Sequence, residues 1–389
     1  MHALPEPGAA EKQRSRELCD VIAAACARGG GLVPFSEFMR LALYAPGLGY
    51  YSGGLQKFGE AGDFTTAPEV SPLFARCLAR QAADELVTLE QPVVLEFGAG
   101  SGVMAADMLL ELERLEALPA QYLILELAAE LRQRQRETIE RIAPDLLPRV
   151  RWLDTLPERF SGVVVANEVL DAMPVECFRI DAGRVEALMI GAGDERLHAE
   201  YAPAPDAVEQ AVRLIEQRRG QPLPDGYCSE YNPQLPAWLQ SIAAAMHSGV
   251  VLLIDYGYPV SEYYHEQRRN GTLMCHYHHR AHPDPLWYPG LQDITAFVDF
   301  SAVAHAAVDA GFDVSGYTTQ AMFLLASGLP ELHQAGLTDD AVQQLRLAQQ
   351  IKTLTLPSEM GERFKVMALG RNHDATLRGF AMQDYRSRL

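Results

Sequence analysis

Glu96-Phe97-Gly98-Ala99-Gly100-Ser101-Gly102 follows the apolar run Val93-Val94-Leu95 and precedes an amphipathic stretch, Met104 to Leu115. The order is strand, glycine turn, helix, the unit from which parallel sheets are built. Gly98 and Gly100 let the backbone approach a ligand where a Cβ would collide, and Gly102 admits tight packing at the helix start. A pyrophosphate site would space its glycines G-x-G-x-x-G and seat the phosphates on the helix N-terminus. Here the third glycine falls one residue early, and a carboxylate, Glu96, stands at the entrance to the turn. That charge opposes an anion. It suits a cofactor with a cationic end and a ribose, such as S-adenosyl-L-methionine, whose ammonium it can attract directly or through water.

Working outward, Glu126 ends the next apolar run, 24 positions after Gly102, near the separation at which a strand-end carboxylate accepts from ribose hydroxyls. That position serves a dinucleotide equally well. Asp154 follows a third run, Val150 to Leu153, where it can take an adenine amino group while Trp152 or Leu153 covers the ring; the plainer alternative is a cap on the following turn. Strands at Tyr122 to Leu127, Gly162 to Ala166, Val250 to Ile254, Phe312 to Gly316 and Lys365 to Leu369 join these, with helices at Glu130 to Ile142 and Ser301 to Ala310. This alternation implies right-handed crossovers and a mainly parallel α/β sheet.

Outside the alternation, residues 1–90 read as an N-terminal helical region with helices at 16–28, 35–43 and 71–89 and a Gly-rich loop at 44–64. Residues 91–175 are the first part of the core, and 176–235 an inserted meander and helix. The second part, 236–389, carries a long His- and Pro-rich loop at 256–292 of the size of a lid or binding loop.

The chain has 389 residues, enough for one large domain with insertions or two joined ones, and 48% hydrophobic content marks it as globular. Its 33 basic and 51 acidic residues leave a net charge of −18, which repels nucleic acid and anionic membrane surfaces. The six cysteines are scattered without a C-x-x-C pair, and the first residues lack a signal or presequence pattern, so a soluble, cytoplasmic protein is expected.

Several blocks in order carry a resemblance: Phe35-Ser-Glu-Phe-Met39, Leu43-Tyr-Ala-Pro46 with Gly49-Tyr-Tyr51, Gly62-Asp-Phe-Thr-Thr-Ala-Pro-Glu69, the glycine turn, and Ala166-Asn-Glu-Val-Leu-Asp-Ala-Met-Pro174. Ile254-Asp-Tyr-Gly257, Gly271-Thr-Leu273, Pro289-Gly-Leu-Gln-Asp-Ile-Thr295 with Val298-Asp-Phe300, and Met360-Gly-Glu-Arg-Phe364 continue it. Nearly end to end, the chain resembles the MidA-like S-adenosylmethionine-dependent methyltransferases, which include the mitochondrial complex I assembly factor acting on an arginine. The resemblance implies a class I, Rossmann-like α/β fold with a seven-stranded, mainly parallel sheet, an N-terminal helical region and inserted substrate-side elements. It also implies a protein acceptor, with arginine documented for the mitochondrial branch, and it places Gly62, Asp63 and Thr65 over the cofactor pocket. Read by themselves, those three residues also suit an Asx or Ser/Thr turn.

Methyl transfer from a sulfonium is an in-line displacement, so the protein has chiefly to position the acceptor and exclude water. Asn167 and Glu168 end the fourth core strand, where ligands of such sheets lie. Glu168 and Asp171, three apart, can converge on a guanidinium; the alternative is that Asn167 and Asp171 cap the next turn while Glu168 is solvated. Glu69, Asp293, Thr295 and His276 are the further acceptor-side candidates, and Asp299 is read as a helix cap before Ser301. His276, His278, His279 and His282 have no carboxylate or cysteine at a ligating interval, so no metal is expected. Two rival readings stand beside methyl transfer: a nicotinamide-dependent oxidoreductase, which the glycine spacing disfavours, and a scaffold that keeps the fold without catalysis.

Overall fold

Five apolar runs become adjacent parallel strands because each is covered on both faces and needs no polar side. In the computed structural model, which describes residues 4–53, 66–193 and 196–389, they are β1 (Val93–Phe97), β2 (Gln121–Leu125), β3 (Val150–Leu153), β4 (Phe160–Asn167) and β5 (Met246–Tyr258). With β6 (Asp313–Thr319) and β7 (Phe364–Arg371) they run in the order β6-β7-β5-β4-β1-β2-β3. β7 is antiparallel to both β5 and β6, and the pairs from β5 to β3 are parallel. This is the class I methyltransferase arrangement. The chain reverses its direction of travel across the sheet at β1 and β4, and the carboxyl edge there is where an open α/β sheet leaves a crevice.

The sheet belongs to one of two compact units, formed by Thr65–Leu170, Pro236–Gly257 and Phe300–Leu389. Val163, Val164 and Val165 of β4 and Val250 to Ile254 of β5 are wholly buried. Each such side chain contributes roughly 1.5–3 kcal/mol relative to an exposed one. Helices Pro72–Leu86 and Val103–Arg114 supply Phe74, Leu78, Met108 and Leu109 to the same core. Ser71 caps the first of these, accepting from the Leu73 N–H at 3.3 Å, with Pro72 at its first position.

The other unit comprises Met1–Phe64, Asp171–Leu235 and Tyr258–Asp299. Its meander, Glu176–Asp181, Arg184–Ala192 and Leu197–Pro203, appears as expected, and short strands Leu32–Pro34 and Cys228–Tyr231 extend it. Helices Ala9–Arg28 and Phe35–Tyr44 bring Leu18, Ile22, Phe35 and Phe38 against Ile190 and Val175.

The expectation for the segment after β5 needs correction. The segment 256–292 is not one long loop: Met274–Tyr277 and Arg280–His282 form a hairpin that pairs with Asp293–Thr295. Its two-residue turn is His278-His279, with φ of +47° and +59°. A tight hairpin turn with two positive φ values ordinarily takes Asn-Gly or Asp-Gly, so the histidines hid it from the sequence. Two members of the histidine cluster thus stand at the tip of an exposed turn.

Candidate functional site

The strand register sets the site. Phe97 of β1 is partnered by Leu125 of β2 and Ala166 of β4, Leu125 by Leu153 of β3, and Asn167 by Ile254 of β5. One residue further on, Asp154, Glu126, Gly98 and Asn167 therefore follow one another along the carboxyl edge, with Ile254 level with Asn167 and Asp255 next after it. The row is tied by backbone bonds: Gly98 N–H to the Leu125 carbonyl at 3.2 Å and Glu168 N–H to the Ile254 carbonyl at 2.9 Å.

Behind that row, the glycine turn winds through left-handed conformations, with φ of +61° at Gly98, +53° at Gly100 and +87° at Gly102. A Cβ on Gly102 would lie 2.8 Å from the Gln135 Cα, so the turn and helix Ala129–Ile142 meet only because that position is bare. Gln135, wholly buried, then fastens three parts of the edge. Its Nε2 donates to the Gly100 carbonyl at 3.2 Å and to Glu126 Oε2 at 3.1 Å, and its Oε1 accepts from Trp152 Nε1 at 2.8 Å.

Glu126 also accepts from the Ala128 N–H at 2.9 Å. Burial pushes its carboxyl up, and those hydrogen bonds oppose the rise. Having accepted these, the carboxylate still has lone-pair capacity for hydroxyls. Glu96 has a different setting. It is wholly buried, its Oε2 accepts from the Tyr122 hydroxyl at 2.7 Å, and its Oε1 has no hydrogen-bond partner among the described residues. Burial raises its pKa to about 7, which the Tyr122 hydrogen bond only partly offsets.

The remaining cofactor-side candidates divide. Asp154 is largely exposed and ion-paired to Arg132 at 2.6 Å, and Trp152 carries the Arg136 guanidinium over its ring at 4.5 Å. Glu69, read as an acceptor-side residue, accepts from the Ser101 hydroxyl of the glycine turn. Gly62, Asp63 and Thr65 lie outside the described residues.

On the acceptor side, Asn167 is nine-tenths buried and its Nδ2 donates to Glu168 Oε1 at 3.2 Å. Glu168 itself holds a left-handed φ of +52°. Asp171 belongs to the other unit, where its carbonyl accepts from the Ala296 N–H at 3.0 Å. In that unit Asp293, Thr295 and His276 share the small sheet, with His276 opposite Asp293 and Met274 opposite Thr295. The Tyr51 hydroxyl donates to Asp293 Oδ1 at 3.0 Å, and the Tyr51 ring stacks on Tyr44. Burial, then the charge of Asp293, drives the Tyr51 hydroxyl well above its ordinary pKa.

Sequence reasoning passed over Gln135, Tyr51 and Asp255. Gln135 lies in a run of polar residues, Arg132 to Glu137, where no local signal separates a buried glutamine from a solvated one. Tyr51 and Asp255 stood inside quoted blocks with no role attached.

The group these residues fit is S-adenosyl-L-methionine: glycines in left-handed conformations that leave backbone bare, a carboxylate just past the next strand with lone pairs for hydroxyls, and a buried carboxylate oxygen with no hydrogen-bond partner among the described residues. Strand order and site together define a class I S-adenosylmethionine-dependent methyltransferase. A model of a family of S-adenosyl-L-methionine-dependent methyltransferases matches residues 77–318, and the chain belongs to that family. It is similar over its whole length to a Burkholderia thailandensis protein crystallised with S-adenosyl-homocysteine, with 45% identity, TM-score 0.94 and all of both chains covered. Two curated relatives are the mitochondrial protein arginine methyltransferase NDUFAF7 homolog of Drosophila melanogaster and NDUFAF7 of Danio rerio. The first is 27% identical and the second 28%, over 87% of this chain and 82% and 83% of theirs.

Proposed function

We propose that this enzyme methylates a side chain of another protein, and that the acceptor is arginine. The observation that carries the reading is the position of Asn167, the last residue of β4, and of Glu168 directly after it, at the end of the strand that pairs with β1, which leads into the glycine turn. A guanidinium presents N–H donors in a planar fork that a carboxylate can accept in pairs. Held by Glu168, it would keep its charge at the nitrogens facing the carboxylate and leave another nitrogen to take the methyl group: that nitrogen's bond to the methyl would form as the sulfonium–methyl bond broke, S-adenosyl-homocysteine would leave, and the nitrogen would give up one N–H proton to solvent. The net charge of −18 favours encounter with a basic target, and the curated relatives bear the arginine name.

The cofactor, when bound, supplies the methyl group on its sulfonium. The chain's own residues do the rest. Gly98, Gly100 and Gly102 admit the cofactor, Glu126 accepts from its ribose, Glu96 supplies negative charge for its ammonium, and Asp154 stands at the adenine end of the row. Glu168, with Asn167 bracing it, receives the acceptor.

Label transfer from methyl-tritiated S-adenosylmethionine into proteins of a lysate from a strain lacking the enzyme tests the reading. Incorporation into one or a few proteins, recovered as methylarginine on hydrolysis and lost with Glu168→Ala, is the expected result. Label in another residue type, or label indifferent to Glu168→Ala, overturns it.

A further inference from the structure

Glu168 is held in a backbone conformation that glutamate does not choose unaided. A non-glycine residue in the left-handed region costs roughly 1–2 kcal/mol, and it persists only where its surroundings enforce it. Two anchors do so, one on each side of the turn. The Glu168 N–H donates to the Ile254 carbonyl at 2.9 Å, continuing the β4–β5 pairing past the end of β4. Two residues on, the Leu170 N–H donates to Asp255 Oδ2 at 3.0 Å. Asp255 is 1% exposed, and its Oδ1 accepts from its neighbour's N–H, that of Tyr256, at 2.9 Å. Both anchors therefore come from consecutive residues of one strand, one by backbone and one by side chain.

We propose that Asp255 is the positioning residue for Glu168: its carboxylate closes the turn 168–170 and so aims the Asn167–Glu168 pair at the methyl acceptor. The inference rests on the reading above, in which Glu168 receives the acceptor. A buried aspartate on two backbone N–H groups has the chemistry for this task. It is short, and it accepts with both oxygens, one from each N–H. The pair it aims is itself preset. Asn167 commits its amide nitrogen to Glu168, while its Oδ1, in a residue nine-tenths buried, has no hydrogen-bond partner among the described residues. That oxygen is available to an N–H of the incoming group. On the other flank, Val169 packs toward the glycine turn, its Cγ2 lying 3.6 Å from where a Cβ of Gly98 would stand. A turn that loosened at Leu170 would let Glu168 relax toward ordinary φ, and its carboxylate would swing off the line to the methyl group.

The test compares Asp255→Asn, Glu168→Ala and the double variant. Asparagine keeps the shape but turns one acceptor oxygen into a donor, which must face an N–H. Thermal melts and calorimetric titration with S-adenosyl-homocysteine are read beside initial rates of tritium transfer from labelled S-adenosylmethionine into the lysate proteins. The expected result is a folded Asp255→Asn protein whose affinity for S-adenosyl-homocysteine stays within about threefold while transfer slows about ten- to a hundredfold, the scale on which small misplacements act. Because Asp255 acts through Glu168, the double variant is then no slower than Glu168→Ala alone. Loss of S-adenosyl-homocysteine binding in step with transfer, or additive losses in the double variant, overturns the proposal, since Asp255 would then act elsewhere. Normal transfer by Asp255→Asn beside a slow Glu168→Ala overturns it while leaving the role of Glu168 intact. Normal transfer by Glu168→Ala instead overturns the reading beneath it. Should Asp255→Asn not fold, Asp255→Glu, which keeps the carboxyl group and displaces both oxygens by one methylene, carries the same expectations and the same overturning results.

Discussion

The Tyr122 hydroxyl donates to Glu96 Oε2 at 2.7 Å in a place where neither residue is exposed. Glu96, at the strand end of the glycine turn, changes charge near neutrality, with a pKa raised to about 7 by burial. If the ionised form holds the cofactor's ammonium, binding releases a proton at low pH. Affinity for S-adenosyl-homocysteine then tightens as pH rises through about 7 and levels off above it. In Glu96→Gln the slope disappears and affinity stays at the low-pH level. Calorimetry at several pH values checks this, and a flat wild-type profile removes Glu96 from the ammonium site.

The same shift has a consequence for stability, with the opposite sign. A carboxyl with a raised folded pKa retains its proton longer in the folded state. Stability without cofactor therefore declines as pH rises from the ordinary 4.5 toward about 7 and loses nothing further beyond. Melting temperatures of wild type relative to Glu96→Gln should fall across that window and run parallel above it.

Gln135 joins the Gly100 carbonyl, Glu126 and Trp152 through one amide. Gln135→Ala leaves the Trp152 N–H without its acceptor and frees Glu126 to change rotamer. A loss of roughly 1–3 kcal/mol in stability is expected, the cost of an unsatisfied buried polar group, by denaturant unfolding. Affinity for S-adenosyl-homocysteine should fall as well, and saturating ligand should recover part of the stability.

Gly102→Ala places a methyl 2.8 Å from the Gln135 Cα, backbone that cannot step aside, at a φ of +87°. Strain of roughly 1–3 kcal/mol is expected. The helix start shifts, and S-adenosyl-homocysteine binding weakens more than about tenfold for a loss of some 1.4 kcal/mol in the site. Unchanged binding with lowered stability would show that the turn tolerates the shift.

Tyr51→Phe withdraws the hydroxyl that donates to the buried Asp293 carboxylate. Asp293 keeps the Ile294 N–H at 3.0 Å, so the fold is expected to survive. If Asp293 shapes the acceptor site, half-maximal labelling requires several-fold more lysate protein, with S-adenosyl-homocysteine affinity unchanged. A shift in the latter alone would assign Tyr51 to the cofactor side.

The strand–glycine–helix unit was legible because it is local: a short apolar run, residues without Cβ, then helical periodicity, all within one stretch of chain. β1 and β3 fall on the residues expected. β5, read as Val250 to Ile254, runs instead from Met246 to Tyr258, because its ends are extended by β4 and β7 and not by its own composition. The hairpin at His278-His279 was illegible for the complementary reason, that its turn residues are atypical and its partner strand lies at Asp293–Thr295.

From the sequence alone came the class of sheet, the position of the cofactor turn and the acidic residues that flank it, since each depends on spacing along the chain. Tertiary structure alone decided which of those acids are used and how. It buried Glu96 against Tyr122, paired Asp154 with Arg132, carried Glu69 to Ser101, and set Asp255 under the turn that holds Glu168. The physical reason is that a carboxylate's charge, partners and direction are properties of its surroundings in space. A sequence lists neighbours along the chain, whereas the partners of these groups lie on other strands and helices.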